Sequence, residues 1–163
     1  ILPGDGSFKI IKDIKNKNLI DPLDHMAKIK KIPILGICLG MQLFGTSSEE
    51  INYEHGGLNW IQGELTKFKV NKKIPHIGFN SLINLKDNKL FFNINELSKF
   101  YFVHSYYFRH KNEKDVIAQT EYDILFPSVI KRENIVGTQF HPEKSQNHGI
   151  QFLYNFLKNY NLI

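Results

Sequence analysis

Thirteen residues, IPILGICLGMQLF at positions 32–44, leave this chain few folds to choose from. The β-branched run 32–37 reads as a short buried strand, and the apolar spacing turns helical after residue 38. Strand, sharp turn and helix within so short a stretch point to an α/β layer arrangement with Cys38 on the turn itself. A lone buried cysteine is ordinarily a small hydrophobe. Here it stands between Gly36 and Gly40, and small neighbours are what a strand and a helix need if they are to approach across a tight corner.

The rest of the chain fits one such layer arrangement. Residues 21–31 (DPLDHMAKIKK) have a helix-like start. Segments 60–70, 100–108, 115–122 and 134–140 alternate or run apolar as strands, with Gly, Asn and Asp in the gaps. Residues 149–160 space Ile150, Leu153, Tyr154 and Leu157 as the apolar face of a closing helix. There is no internal repeat and no low-complexity linker, so residues 1–163 read as a single α/β domain whose sheet has partly antiparallel additions. The chain opens on Ile1 inside a strand-end turn, which leads us to expect a missing N-terminal segment.

Composition excludes several classes of function. No apolar run approaches the ~20 residues of a membrane-spanning helix, and no basic region followed by an apolar one marks a secretory signal. The net charge of +5 comes from lysines scattered singly or in pairs. With no arginine cluster or basic stripe, it describes a solvated surface, and no nucleic-acid or membrane partner is expected. A single cysteine forms no internal disulfide and no thiolate zinc site, and it fits a reducing, cytoplasmic setting.

The chemistry centres on Cys38. Strand, turn and helix around G-I-C-L-G form a nucleophile elbow with cysteine as the nucleophile. The helix that begins at Leu39 is expected to lower the thiol pKa, and the Leu39 N–H is expected to face a developing oxyanion. A thiolate needs a base and the base an orienting group. GTQFHPEKS supplies His141 and Glu143, whose side chains would share one side of a continued extended segment, with Pro142 keeping that segment from becoming helical. His25, His55, His76, His110 and His148 read as surface or structural residues. The glycine-bracketed turn PGDGSF (3–8) can turn a second N–H inward, although an ordinary surface turn has the same composition.

Taken together, LPGDGSF, GICLGMQLF with SSEE, PHIGFN, FYFVHSYYF and GTQFHPEKS resemble the class I (triad) glutamine amidotransferases. Within them they resemble the glutaminase subunits of imidazole glycerol phosphate synthase in histidine biosynthesis. The resemblance runs over nearly the whole chain. It implies a mostly parallel central sheet with flanking helices, its N-terminal β-α-β segment missing here, and hydrolysis of glutamine to glutamate and ammonia through a cysteine thioester. It implies Cys38, His141 and Glu143 as the triad, and Leu39 with Gly4, Asp5 and Gly6 as the oxyanion hole. It places Gly40, Gln42, Glu50, Ser105 and Tyr106 around the glutamine. Pro75, Gly78, Phe79, Asn80 and Lys144 would face a (β/α)₈-barrel cyclase that receives the ammonia. No metal or organic cofactor is implied.

Asp5 stands where the family usually has a small apolar residue, and Phe79 where it usually has tryptophan. These departures weaken the expectation of a histidine-pathway partner, and three alternatives accompany the main expectation. One is a paralogue feeding an amidotransferase of surface-polysaccharide sugars, another a different cysteine hydrolase of this fold. The last is a partner subunit without activity, which the intact Cys38, His141 and Glu143 argue against.

Overall fold

The computed structural model describes residues 1–53 and 56–163; His55, one of the five histidines set aside above, lies outside them. The chain folds into helices α1 (Ile10–Asn16), α2 (Ile20–Asp24), α3 (Leu39–Gln42) and α4 (Gln146–Asn159). Its strands are β1 (Ile34–Ile37), β2 (Ser47–Ser48), β3 (Gly63–Lys67), β4 (His76–Ser81), β5 (Lys99–His104), β6 (Tyr106–His110), β7 (Val116–Tyr122), β8 (Ile124–Arg132) and β9 (Ile135–Thr138). This is the α/β class expected. Among the described residues no helix is long and apolar enough to cross a membrane.

The pairing is mixed. β1 lies parallel to β9, with Ile37 opposite Thr138, and Leu2 bridges Gly36 in parallel on the other side of β1. β9, β8 and β7 then continue the sheet antiparallel. A second sheet has the order β2-β3-β6, and β4 pairs antiparallel with β5 so that His76 lies opposite His104. Among the described residues, parallel pairing is thus confined to the strands that flank the elbow and to the short β2–β3 contact.

β1 is buried on both faces. Leu35 and Ile37 enter one apolar cluster with Phe100, Phe102, Phe126, Phe140 and Phe152, while Ile34 enters another with Phe8, Met41, Phe44 and Phe108. Continuous apolar character is what a doubly covered strand requires. This burial fixes β1 rigidly beneath the turn that carries Cys38.

Two sequence expectations change, and further elements appear that the sequence did not mark. The buried face of α4 is Gly149, Phe152, Asn155 and Phe156, whereas Ile150 and Tyr154 are exposed. Phe152 and Phe156, four residues apart, enter the core, and the Asn155 amide is satisfied there by the carbonyls of Leu90 and Phe92. The run 100–108 is two strands broken at Ser105. PHIGFN is mostly strand β4. The segment IIKDIKN forms α1, and β8 carries Pro127 in its interior, a proline that masks the strand in the sequence.

Candidate active site

β1 delivers Cys38 to a corner with φ +48° and ψ −102°, a conformation that a residue with a side chain rarely adopts. Two hydrogen bonds hold it there. The Cys38 N–H donates to the Thr138 carbonyl at 2.7 Å, and its own carbonyl accepts from the Gln42 N–H at 3.0 Å. The flanking glycines are steric requirements, as the sequence suggested. A Cβ at Gly36 would stand 2.4 Å from the Phe44 ring, and one at Gly40 would stand 2.1 Å from the Leu2 carbonyl oxygen.

The thiol itself differs from expectation. Burial pushes its pKa up to about 12, and the carboxylates of Asp5 and Glu143 act in the same direction. The Leu39 N–H and the Gln139 amide oppose this without overcoming it. α3 spans only Leu39–Gln42, too short to impose the lowering predicted from a helix N-terminus. The resting thiol is therefore protonated and donates to the Val103 carbonyl at 3.8 Å.

His141 follows β9, the parallel neighbour of β1, so the base leaves the sheet at the same end as the nucleophile. Its Nδ1 lies 2.7 Å from Glu143 Oε1. The two meet for a reason other than the one expected. Extended geometry stops at His141, and Pro142–Lys144 forms a single 3₁₀ turn with proline at its first position, which brings Glu143 back to the Nδ1 edge of the ring. The Ser145 hydroxyl ties this turn down by donating to the His141 carbonyl at 2.6 Å. The other ring nitrogen, Nε2, is buried and has no hydrogen-bond partner among the described residues. A buried nitrogen left open in this way is ready to exchange a proton.

A cleft of about 340 Å³ opens over the elbow, lined by Gly4, Asp5, Gly6, Cys38, Leu39, Gln42, Glu50, Pro75, Val103, His104, Ser105 and Tyr106. It thus gathers all four residues expected at the oxyanion and four of the five expected around a substrate. The fifth, Gly40, packs under Leu2 instead. Gly6 adopts φ +127°, which only glycine tolerates readily. Glu50 holds this loop in place, accepting from the Ser7 hydroxyl and from the Phe8 N–H at 3.1 Å. Its ordering role is invisible in sequence, because residues 7 and 50 belong to different elements.

Of the residues expected at a partner surface, Phe79 is exposed beside Tyr101 and shares the outer face of β4 with exposed Ile77. Gly78 adopts φ +127° with open space where a side chain would be, and Lys144 is exposed in the turn after His141. Pro75 lines the cleft. Asn80 points inward: its amide donates to the Glu121 carbonyl at 3.0 Å and approaches His76 Nε2 at 3.4 Å.

Two buried residues of the site carry no expectation above. His104 is opposite His76, and Gln139 lies fully buried with its amide 3.6 Å from the Cys38 sulfur. A sequence signal existed for Gln139, which lies two residues before His141 and so on the same side of an extended segment. His104 immediately precedes the Ser105–Tyr106 pair, yet nothing local distinguishes it from an ordinary strand residue. Of the histidines set aside, His25 is exposed, and His110 pairs with Glu113 at 2.7 Å. His148 accepts from the Lys99 N–H. His76 is buried and structural.

Residues 1–160 match the family model for glutamine amidotransferase class-I. The chain is 43% identical over 162 residues to the imidazole glycerol phosphate synthase subunit HisH of Leptospira interrogans, covering 96% of this chain and 78% of that one. It is 47% identical over 164 residues to subunit HisH 1 of Campylobacter jejuni subsp. jejuni serotype O:23/36 (strain 81-176), covering 97% and 79%. A crystal structure of a glutamine amidotransferase superposes with a TM-score of 0.68 at 17% identity, covering 96% of this chain and 75% of that one, and so shares the fold.

Proposed function

This chain belongs to the class I glutamine amidotransferases, and on that premise we propose that it is the glutaminase subunit of an imidazole glycerol phosphate synthase. It hydrolyses glutamine to glutamate and ammonia for histidine biosynthesis. The observation that carries this is a strained, buried thiol at an open cleft together with, past the end of the parallel neighbouring strand, a buried imidazole whose Nδ1 rests on a carboxylate and whose Nε2 is unpartnered among the described residues.

The mechanism follows from those groups. The Cys38 proton moves to His141 Nε2, and Glu143 at Nδ1 stabilises the imidazolium. The thiolate adds to the side-chain carbonyl carbon of glutamine, and the oxygen becomes anionic against the Leu39 N–H and the loop of Gly4, Asp5 and Gly6. His141 returns the proton to the departing nitrogen, ammonia leaves, and a γ-glutamyl thioester remains. Water then adds, its proton taken by His141, and glutamate is released with the thiol restored. Gln42, Glu50, Ser105 and Tyr106 surround the amino-acid portion. Burial disfavours the resting thiolate, so proton transfer to His141 accompanies attack, and a partner that receives the ammonia is the group expected to raise the rate.

That partner is a (β/α)₈-barrel cyclase docking on the outer face of β4, through Ile77 and Phe79, and on Lys144. The test is glutamate release by the full-length protein, alone and with the cyclase from the same source, beside Cys38→Ala. A thiol-dependent rate that rises sharply with the cyclase supports the proposal. A thiol-dependent rate that the cyclase leaves unchanged keeps the glutaminase and moves it to another acceptor enzyme. No glutamate from folded protein refutes it.

A further inference from the structure

We propose that Gln139 is a positioning residue for the nucleophile, and that it is the inner end of a buried hydrogen-bond chain reaching from the Cys38 sulfur to Asn80 on β4. This deepens the glutaminase reading and rests on it for the meaning of the site, though the contacts themselves do not depend on it.

The chain can be followed atom by atom. Gln139 Nε2 donates to Cys38 Sγ at 3.6 Å. Gln139 Oε1 accepts from Gln42 Nε2 at 3.2 Å, and the second proton on that nitrogen goes to the Tyr106 carbonyl at 3.3 Å. The same carbonyl stands 2.8 Å from His104 Nδ1. A carbonyl only accepts, so Nδ1 carries the hydrogen, and Nε2 of the neutral ring is the acceptor. His76 Nδ1, 3.1 Å away, must then donate to it. That leaves His76 Nε2 to accept from the Asn80 amide, whose orientation is fixed independently because Asn80 Oδ1 accepts from the Ser81 N–H. Each amide and ring position has one consistent role, and Gln42, Gln139, His76 and His104 are all buried.

Burial keeps both rings neutral, with pKa values lowered to about 4 for His76 and about 3 for His104. The pair therefore acts as a fixed dipolar link. The link has a function at each end. At Cys38 the amide N–H aims at sulfur, where it stabilises the thiolate over the thiol. In the middle, the Tyr106 carbonyl is held by two donors, which fixes the Tyr106–Tyr107 peptide and with it Tyr106, a residue that lines the cleft. At the outer end, Asn80 sits on the strand whose opposite face presents Ile77 and Phe79. A shift of β4 would move the Tyr106 peptide and Gln139 through contacts alone.

The test uses the full-length protein and two readouts. The pH profile of Cys38 alkylation by iodoacetamide reports the thiolate without requiring turnover. Asp5 and Glu143 are the charged groups acting on the sulfur, with His141 against Glu143, and all three stay unchanged. Gln139→Leu removes the donor without adding a charge, and Gln139→Met keeps the length without a donor should the first fail to fold. Either variant is expected to move the profile alkaline by about one pH unit, roughly tenfold in rate at neutral pH. At the outer end, His76→Phe fills the stack between Phe102 and Tyr122 without a donor, and His76→Asn restores one near Nδ1. The phenylalanine is expected to raise KM for glutamine about fivefold with kcat little changed, and the asparagine to recover most of it. An unshifted alkylation profile in both Gln139 variants overturns the proposal, as does an asparagine no better than phenylalanine. A shifted profile in a protein that releases no glutamate leaves the chain standing and removes the glutaminase reading.

Discussion

Gly40→Ala puts a single methyl group where the elbow has no room for it. The new Cβ would lie 2.1 Å from the Leu2 carbonyl oxygen, 2.8 Å from its carbon and 3.1 Å from its Cβ. An unstrained carbon–oxygen contact needs about 3.3 Å, so Leu2 or the elbow has to move by roughly 1 Å. Leu2 is joined to β1 by two backbone hydrogen bonds, one to Leu35 at 2.9 Å and one from Ile37 at 3.0 Å. Losing both costs about 2 kcal/mol, and overpacking adds roughly 1–3 kcal/mol. Alanine's better helix propensity returns about 1 kcal/mol at most. The net loss of about 2–4 kcal/mol corresponds to a fall of roughly 10 °C in Tm for a chain of this size. Differential scanning calorimetry measures it, and glutamate release reports whether Cys38 has shifted. A Tm within about 2 °C of the parent together with unchanged kcat/KM would refute the steric account of the elbow.

Three further outcomes are expected. Glu143→Gln removes the charge that steadies the His141 imidazolium, and because Glu143 is half exposed, kcat should fall only about ten- to a hundredfold, read in a steady-state glutaminase assay. Glu50→Ala leaves the Phe8 N–H without its acceptor, so both Tm and the affinity for glutamine should drop, whereas Ser7→Ala removes one bond and should cost about half the stability. Stability should also fall on acidification from pH 6.5 to about 4. The His76 pKa is lowered by burial, so the unfolded chain takes up a proton in that window and the folded one does not; chemical denaturation across the range should show a shallower slope for His76→Phe.

The elbow and the His141–Glu143 pair were legible because they depend on a few consecutive residues. Gly36 and Gly40 announce a close approach whatever surrounds them, and His141, Pro142 and Glu143 meet within one turn. Even there the local geometry was misjudged, since a 3₁₀ turn and not an extended segment joins the pair. Long-range register hid more. His104 gains its role only when β5 lies against β4, and Gln139 only when it reaches Gln42, 97 residues away. The α4 face was misassigned because Ile150, Leu153, Tyr154 and Leu157 make an acceptable helical stripe by spacing alone. Only the packing partners Phe91 and Phe140 select Phe152. The thiol pKa was mispredicted for a related reason: burial is a property of the whole fold, and it outweighs a helix of one turn.

The account rests on Cys38 as the nucleophile toward glutamine. The most direct measurement is covalent trapping with a glutamine analogue whose side chain ends in an electrophilic ketone, followed by intact mass and peptide mapping. The chain has one cysteine, so the position is unambiguous. The account predicts a single adduct on Cys38 that excess glutamine prevents and that forms far more slowly in His141→Ala. An adduct elsewhere, or one on Cys38 that glutamine does not slow, would contradict it.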